Sequence, residues 1–238
     1  MVPSRRSKWE GVERELSIQV EGAALEGTLA LPNNPKGLVL FAHGSGSSRH
    51  SPRNRYVAEV LNTDKIATLL FDLLTAEEER LDQYTGALRF DIPFLATRLL
   101  GATRWVLKDP QTQELKIGYF GASTGAGAAL IAAAELPDAV FAVVSRGGRP
   151  DLAKGALPRV RAATLLIVGE NDEPVIAMNR EALERLGSHD KKLIIIPGAT
   201  HLFEEPGTLE EAARLAAVWF VVHFRSNETP ASQRAAIG

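Results

Sequence analysis

The chain has 238 residues, 45% hydrophobic and 24% charged, with 27 Lys and Arg against 29 Asp and Glu for a formal net charge of −2. That is the balance of a globular protein long enough to bury a sizeable core unaided, and it supplies no strong field for nucleic acid or an anionic membrane. The lack of any cysteine excludes disulfides, thiolate metal sites and a cysteine nucleophile.

Arg5, Arg6 and Lys8 are not followed by an apolar stretch of signal-peptide length, so a cytoplasmic protein is expected. Leu16–Val20 and Leu25–Leu31, separated by Glu21-Gly22, predict an antiparallel hairpin. Six short apolar runs follow: Gly37–Ala42, Ala67–Leu73, Lys116–Phe120, Ala139–Val144, Ala163–Val168 and Lys192–Ile196. Continuous runs of Val, Ile, Leu and Phe at this length predict strands buried on both faces, hence a mostly parallel sheet.

Helices are predicted over Asn54–Leu61, Ile92–Lys108, Thr124–Glu135, Ile176–Leu186 and Leu209–Phe224. The alternation gives an α/β class: a doubly wound, mostly parallel sheet with the hairpin at its N-terminal edge. One domain is expected, with a core of about 16–224 and flexible ends at 1–10 and 226–238. Residues 145–162 leave room for a loop and a short helix, Asp151–Ala156, so no large cap domain is expected. Thr75–Phe90, with three consecutive glutamates, reads either as a cover over a site or as an exposed, charged helix start.

The chemistry centres on Gly121-Ala122-Ser123-Thr124-Gly125, where a strand-like run ends and an Ala-rich helix begins. Gly-x-Ser-x-Gly in a strand–turn–helix context lifts a serine clear of the sheet, with glycines where neighbouring chains lie too close for a β-carbon. Ser123 would then sit at the positive end of the helix dipole, with the Thr124 amide aimed at a developing oxyanion. A serine needs a base, and the base an orienting carboxylate. Glu170, Asp172 and Glu173 follow one predicted strand and His201 follows the next, at strand ends where such sites assemble. Asp172 is the chosen acid, because Val175 behind it can open the next helix and anchor the loop.

His43-Gly44-Ser45-Gly46 follows the first parallel strand. His43 is expected to hold this loop by hydrogen bonds, and the Ser45 amide, with Gly46 close behind, is the second expected oxyanion donor. Arg146 and Arg149 follow a strand end that should face the pocket. Either could bind a carboxylate or phosphate in a forked hydrogen bond, or pair with Asp151 or Asp72.

These segments together resemble the α/β-hydrolase superfamily, and within it the small dienelactone-hydrolase-like members, over roughly Leu16 to Phe224. The resemblance implies Ser123 as nucleophile, His201 as base and Asp172 as orienting acid. True dienelactone hydrolases use a cysteine nucleophile, which this chain lacks, so the resemblance implies a serine esterase. Haloalkane and epoxide chemistry is disfavoured, since those relatives carry Asp where this chain has Ser123. The expectation is a cofactor-independent serine hydrolase acting on a small-molecule ester, as monomer or homodimer, with no metal, nucleic-acid or membrane partner. An acyltransferase on the same residues and a small-molecule binding protein on a hydrolase scaffold are the alternatives.

Overall fold

Short runs that are apolar on every residue can satisfy both faces only inside a layered sheet. In the structure, a computed structural model describing residues 9–20 and 22–225, they lie there. Eight strands form one sheet: β1 (Gly11–Val20), β2 (Ala23–Pro32), β3 (Leu38–Ala42), β4 (Ala67–Phe71), β5 (Ile117–Ala122), β6 (Val140–Arg146), β7 (Ala163–Gly169) and β8 (Lys191–Ile196). Their order is β1-β2-β4-β3-β5-β6-β7-β8. The β1–β2 and β2–β4 pairings are antiparallel and the remaining five are parallel. This is the α/β-hydrolase fold.

Successive residues of the inner strands alternate between two cores. Leu38, Leu40, Ile117 and Tyr119 pack on one face beneath α3 (Ile92–Val106) and α4 (Thr124–Glu135). Val39, Phe41, Phe120 and Val144 pack on the other beneath α6 (Thr208–Arg225) and α1 (Pro52–Thr63). The helix α5 (Glu173–Arg185) joins the first face through Ala182. No helix among the described residues is long and apolar enough to cross a membrane.

The boundaries differ from the sequence reading in two informative places. β1 starts at Gly11 because residues 11–15 are exposed and carry no apolar signal, although they pair in register with β2. A further helix, α2 (Ala76–Thr85), occupies the acidic stretch. It has no apolar stripe to announce it, and among its residues Asp82 alone is buried. Its start is fixed by a capping box: Glu78 N–H donates to Thr75 Oγ1 (3.2 Å) and Thr75 N–H to Glu78 Oε2 (2.8 Å). Glu77, Glu78 and Glu79 fill its first turn, where the helix dipole favours negative charge. Between β6 and β7 there is only a 3₁₀ segment, Pro150–Arg159, and no cap. Of the termini expected to be flexible, 1–8 and 226–238 lie outside the described residues, as does Glu21 of the hairpin turn.

The start of α4 is pressed against the end of β3. A β-carbon on Gly125 would fall 2.1 Å from the Ala42 carbonyl oxygen, and one on Gly121 2.5 Å from Ala126 Cα. Both obstacles are backbone, so neither can rotate away. Gly125→Ala is expected to cost at least the ~1–3 kcal/mol of an overpacked core, read as a lower denaturation midpoint at unchanged slope.

Candidate active site

β5 delivers Ser123 into a backbone conformation that side chains avoid, φ 50° and ψ −123°. Such a position costs roughly 1–3 kcal/mol and persists only when its surroundings enforce it. Here Ser123 N–H donates to the Arg146 carbonyl (3.3 Å), while the Ser123 carbonyl accepts from Ala126 N–H (3.1 Å) and Arg149 N–H (3.0 Å). The side chain is thereby turned out of the sheet toward the loop after β8.

That loop brings His201 to it. His201 Nε2 lies 3.3 Å from Ser123 Oγ, and Nδ1 lies 2.7 Å from Asp172 Oδ2. With Nδ1–H donating to the carboxylate, Nε2 is left as an acceptor for the serine hydroxyl. Asp172 stands immediately before α5 without its side chain capping it, and the competing acids are used elsewhere: Glu170 accepts the Gly198 amide (2.8 Å), and Glu173 begins the helix. Asn171 fastens the acid loop to the histidine loop, its N–H donating to the Ala199 carbonyl (2.9 Å) and its Nδ2 to the Gly198 carbonyl (3.0 Å). On the far side of His201, Phe203 is buried at a left-handed φ of 56° and anchors the loop to the second core. The structure thus brings together the three residues that the sequence placed after three different strands.

The loop after β3 closes the other side. A β-carbon on Gly44 would be 3.1 Å from Ser123 Cβ, so the chain passes directly over the serine. Thr124 opens α4, and its N–H is one of the first-turn donors that no helical carbonyl can take. The Ser45 amide differs from expectation. Its hydrogen is donated to Thr124 Oγ1 at 2.8 Å, a contact across 79 residues of sequence that no local pattern signals. His43 holds the loop as expected: Nε2 accepts the Leu73 N–H (3.1 Å) and Nδ1 faces the Gly44 carbonyl (3.0 Å).

The two arginines part company. Arg149 forms a forked pair with Asp151, Nε to Oδ1 and Nη2 to Oδ2, both at 2.8 Å. Arg146 is 7% exposed with its guanidinium 5.5 Å above the Phe203 ring, and its Nε and Nη1 have no hydrogen-bond partner among the described residues. Burial, reinforced by the positive charge of Arg53, pushes its pKa down to about 10, so it remains a cation at neutral pH. Arg53 escaped the sequence reading, since its nearness to Arg146 is set by how α1 packs. Asp72 is taken by Arg49, through both its amide (2.8 Å) and its guanidinium.

Beside the elbow opens a cavity of about 610 Å³, lined by Ser45, Arg49, Arg53, Thr75 and Glu79 among others. Its wall reaches His43 and Ser45, while Ser123, Asp172, His201 and Arg146 lie outside it. The acidic stretch begins an exposed helix and contributes Thr75, Ala76 and Glu79 to the wall of this neighbouring cavity. Among the described residues, no group of three or more His, Asp or Glu gathers to hold a metal ion.

Residues 55–224 match the model of the Dienelactone hydrolase family. A dienelactone hydrolase from Anabaena variabilis is 62% identical in sequence, with a TM-score of 0.89 over 90% of this chain and 99% of that one. An esterase from Pyrococcus furiosus, 18% identical, shares the fold at a TM-score of 0.73 over 90% of this chain and 92% of its own. Two Mycobacterium tuberculosis proteins provisionally named phosphoribosyl transferases are 55% identical over 211 residues, which is 89% of this chain and 46% of theirs. The chain thus spans about half the length of these curated relatives.

Burial lowers the His43 pKa below its ordinary 6.5, against the raising effect of the Gly44 carbonyl, Asp72 and Glu79. The unfolded chain then takes up this proton at a higher pH than the folded one. The associated stability is present above about pH 6.5 and is lost as the pH falls through the folded value. His223, also lowered by burial, acts in the same sense, so the comparison must be differential. His43→Gln is expected to reduce the drop in melting temperature between about pH 7.5 and pH 5.5, a window spanning the ordinary histidine pKa.

Proposed function

The chain belongs to the dienelactone hydrolase family, and within it we propose a serine hydrolase that cleaves carboxylic esters of small or medium size without a cofactor. The observation that carries this reading is the hydrogen-bonded series Ser123 Oγ, His201, Asp172, at 3.3 and 2.7 Å, on a serine held at φ 50°. A binding protein has no use for a strained serine with a base and an acid behind it. A serine–histidine distance at the long end of hydrogen bonding is usual for a site without substrate.

In the proposed reaction, Ser123 Oγ attacks the ester carbonyl as His201 Nε2 takes its proton. Asp172 holds the imidazole in the tautomer this requires and stabilises the imidazolium that forms. Collapse of the tetrahedral intermediate expels the alcohol, which receives the proton from His201. Water, deprotonated by the same nitrogen, then attacks the acyl-enzyme; breaking of the acyl–Oγ bond releases the acid as His201 returns the proton to Ser123 Oγ. The Thr124 amide, at the positive end of α4, is the backbone donor to the oxyanion. The phosphoribosyl transferase name belongs to the longer mycobacterial proteins. For the segment they share with this chain, the serine–histidine–aspartate arrangement supports acyl chemistry.

Arg146 supplies the lean toward substrate charge. A buried guanidinium with unused donors suits a carboxylate on the substrate. Gly147, next in the chain, lies close enough that a β-carbon there would be 3.6 Å from His201 Cε1. Arg149 has no part in this, since its fork is filled by Asp151.

Ser123→Ala is expected to lower turnover of p-nitrophenyl acetate by roughly 10⁴–10⁶-fold, as for triads that act as a unit, and to abolish labelling by a fluorophosphonate probe. Turnover like that of the wild type in this variant sinks the reading. For substrate charge, the ratio of kcat/KM for an acidic ester to that for its neutral analogue is expected to fall about tenfold to a hundredfold in Arg146→Ala, the worth of one charge-assisted hydrogen bond. It should be unchanged in Arg149→Ala. An unaltered ratio in Arg146→Ala removes that residue from the site.

A further inference from the structure

A tetrahedral oxyanion needs more than one donor in a dry site, and the amide expected to be the second is already engaged. Ser45 N–H points at Thr124 Oγ1, 2.8 Å away. The Thr124 side chain is buried and, being β-branched and at the first position of a helix, has little rotational freedom. A hydroxyl that accepts a hydrogen bond still has its own hydrogen to give. That hydrogen cannot point back at the amide. Among the described residues, no acceptor for it is present.

From this geometry we propose that the Thr124 hydroxyl is itself a catalytic oxyanion donor, aimed by the Ser45 amide, so that Thr124 provides both its backbone N–H and its Oγ1–H. This rests on Ser123 being the nucleophile. A backbone N–H and the hydroxyl of the same threonine lie close enough to converge on one oxygen. Accepting from an amide also polarises the hydroxyl and strengthens it as a donor. Gly44 fixes the arrangement by packing on Ser123, which holds Ser45 directly beside the reacting atoms. The hydroxyl keeps its proton throughout: it donates a hydrogen bond while negative charge resides on the substrate oxygen, and that bond relaxes when the carbonyl re-forms. Ser45 is thus a positioning residue acting through Thr124.

Thr124→Val keeps the shape of the side chain and removes the hydroxyl. With p-nitrophenyl acetate, its kcat is expected to fall about 10²-fold or more, the usual effect of losing one oxyanion donor, with KM little changed. Inhibition by a trifluoromethyl ketone, which forms a charged tetrahedral adduct with the serine, should weaken by a similar factor, while inhibition by the product acid does not. Thr124→Ser should recover most of the lost kcat. The opposite result is equally distinct. If Ser45 N–H is the true donor and the hydroxyl only its resting partner, Thr124→Val frees the amide and kcat stays level or rises, which overturns the proposal. Should Thr124→Val not fold, as judged by circular dichroism, Thr124→Ser and Thr124→Ala take its place, and equal kcat in these two overturns it as well. Ser123→Ala is assayed alongside. If that variant keeps its activity, the esterase reading falls and this inference with it. If it is inactive while Thr124→Val is not impaired, this inference alone falls.

Discussion

The turn at Ser123 is the constraint on which the rest of the site depends. Its backbone strain, of roughly 1–3 kcal/mol, is offset by three backbone hydrogen bonds, each worth a net ~0.5–1.5 kcal/mol. Those bonds involve the last residue of β6, the loop after it and the first turn of α4. Gly125 lets α4 begin against the β3 carbonyls, and Gly44 lets the β3 loop cross over the serine. The strain and the close approach are therefore one feature. The chain can present a serine at the C-terminal end of a central strand only because strands on both sides clamp the turn.

Three loops at the strand ends meet this turn, and each is tied down by polar contacts before any substrate enters. The β7 and β8 loops are stitched by Asn171 and Glu170, leaving Asp172 free to orient His201. The β3 loop is held by His43, whose burial keeps the ring neutral so that Nε2 can accept the Leu73 amide. A rigid setting of this kind lets the reacting groups act without reorganisation. It also leaves Ser45 with its hydrogen committed to Thr124.

The charged groups around the cleft fall into paired and unpaired sets. Arg49 is matched by Asp72 and Arg149 by Asp151, and such partly exposed pairs contribute little net stability. Arg146 is different. It is buried beside Phe203 with donors unused, and an uncompensated buried cation is costly to the fold.

The sequence by itself determined the class of the fold, and it proposed Ser123, Asp172 and His201, which the structure brings within hydrogen-bond distance of one another. Short apolar runs alternating with helical segments point to a covered parallel sheet, and Gly121 and Gly125 mark the elbow at Ser123 because only glycine fits where backbones nearly touch. The placing of Ser123 after β5, Asp172 after β7 and His201 after β8 followed from the same alternation. What lacked a local signal was left to the tertiary structure. The exposed half of β1 and the polar helix α2 bury too little apolar surface to show a period. Which way Arg146 and Arg149 would turn was undecidable, since either could reach an acid nearby in sequence and the choice depended on burial. The bond from Ser45 to Thr124 exists only because the end of β3 and the start of α4, far apart in the chain, are pressed together above the central strands. Sequence patterns report what each segment must bury; only packing decides which donor finds which acceptor.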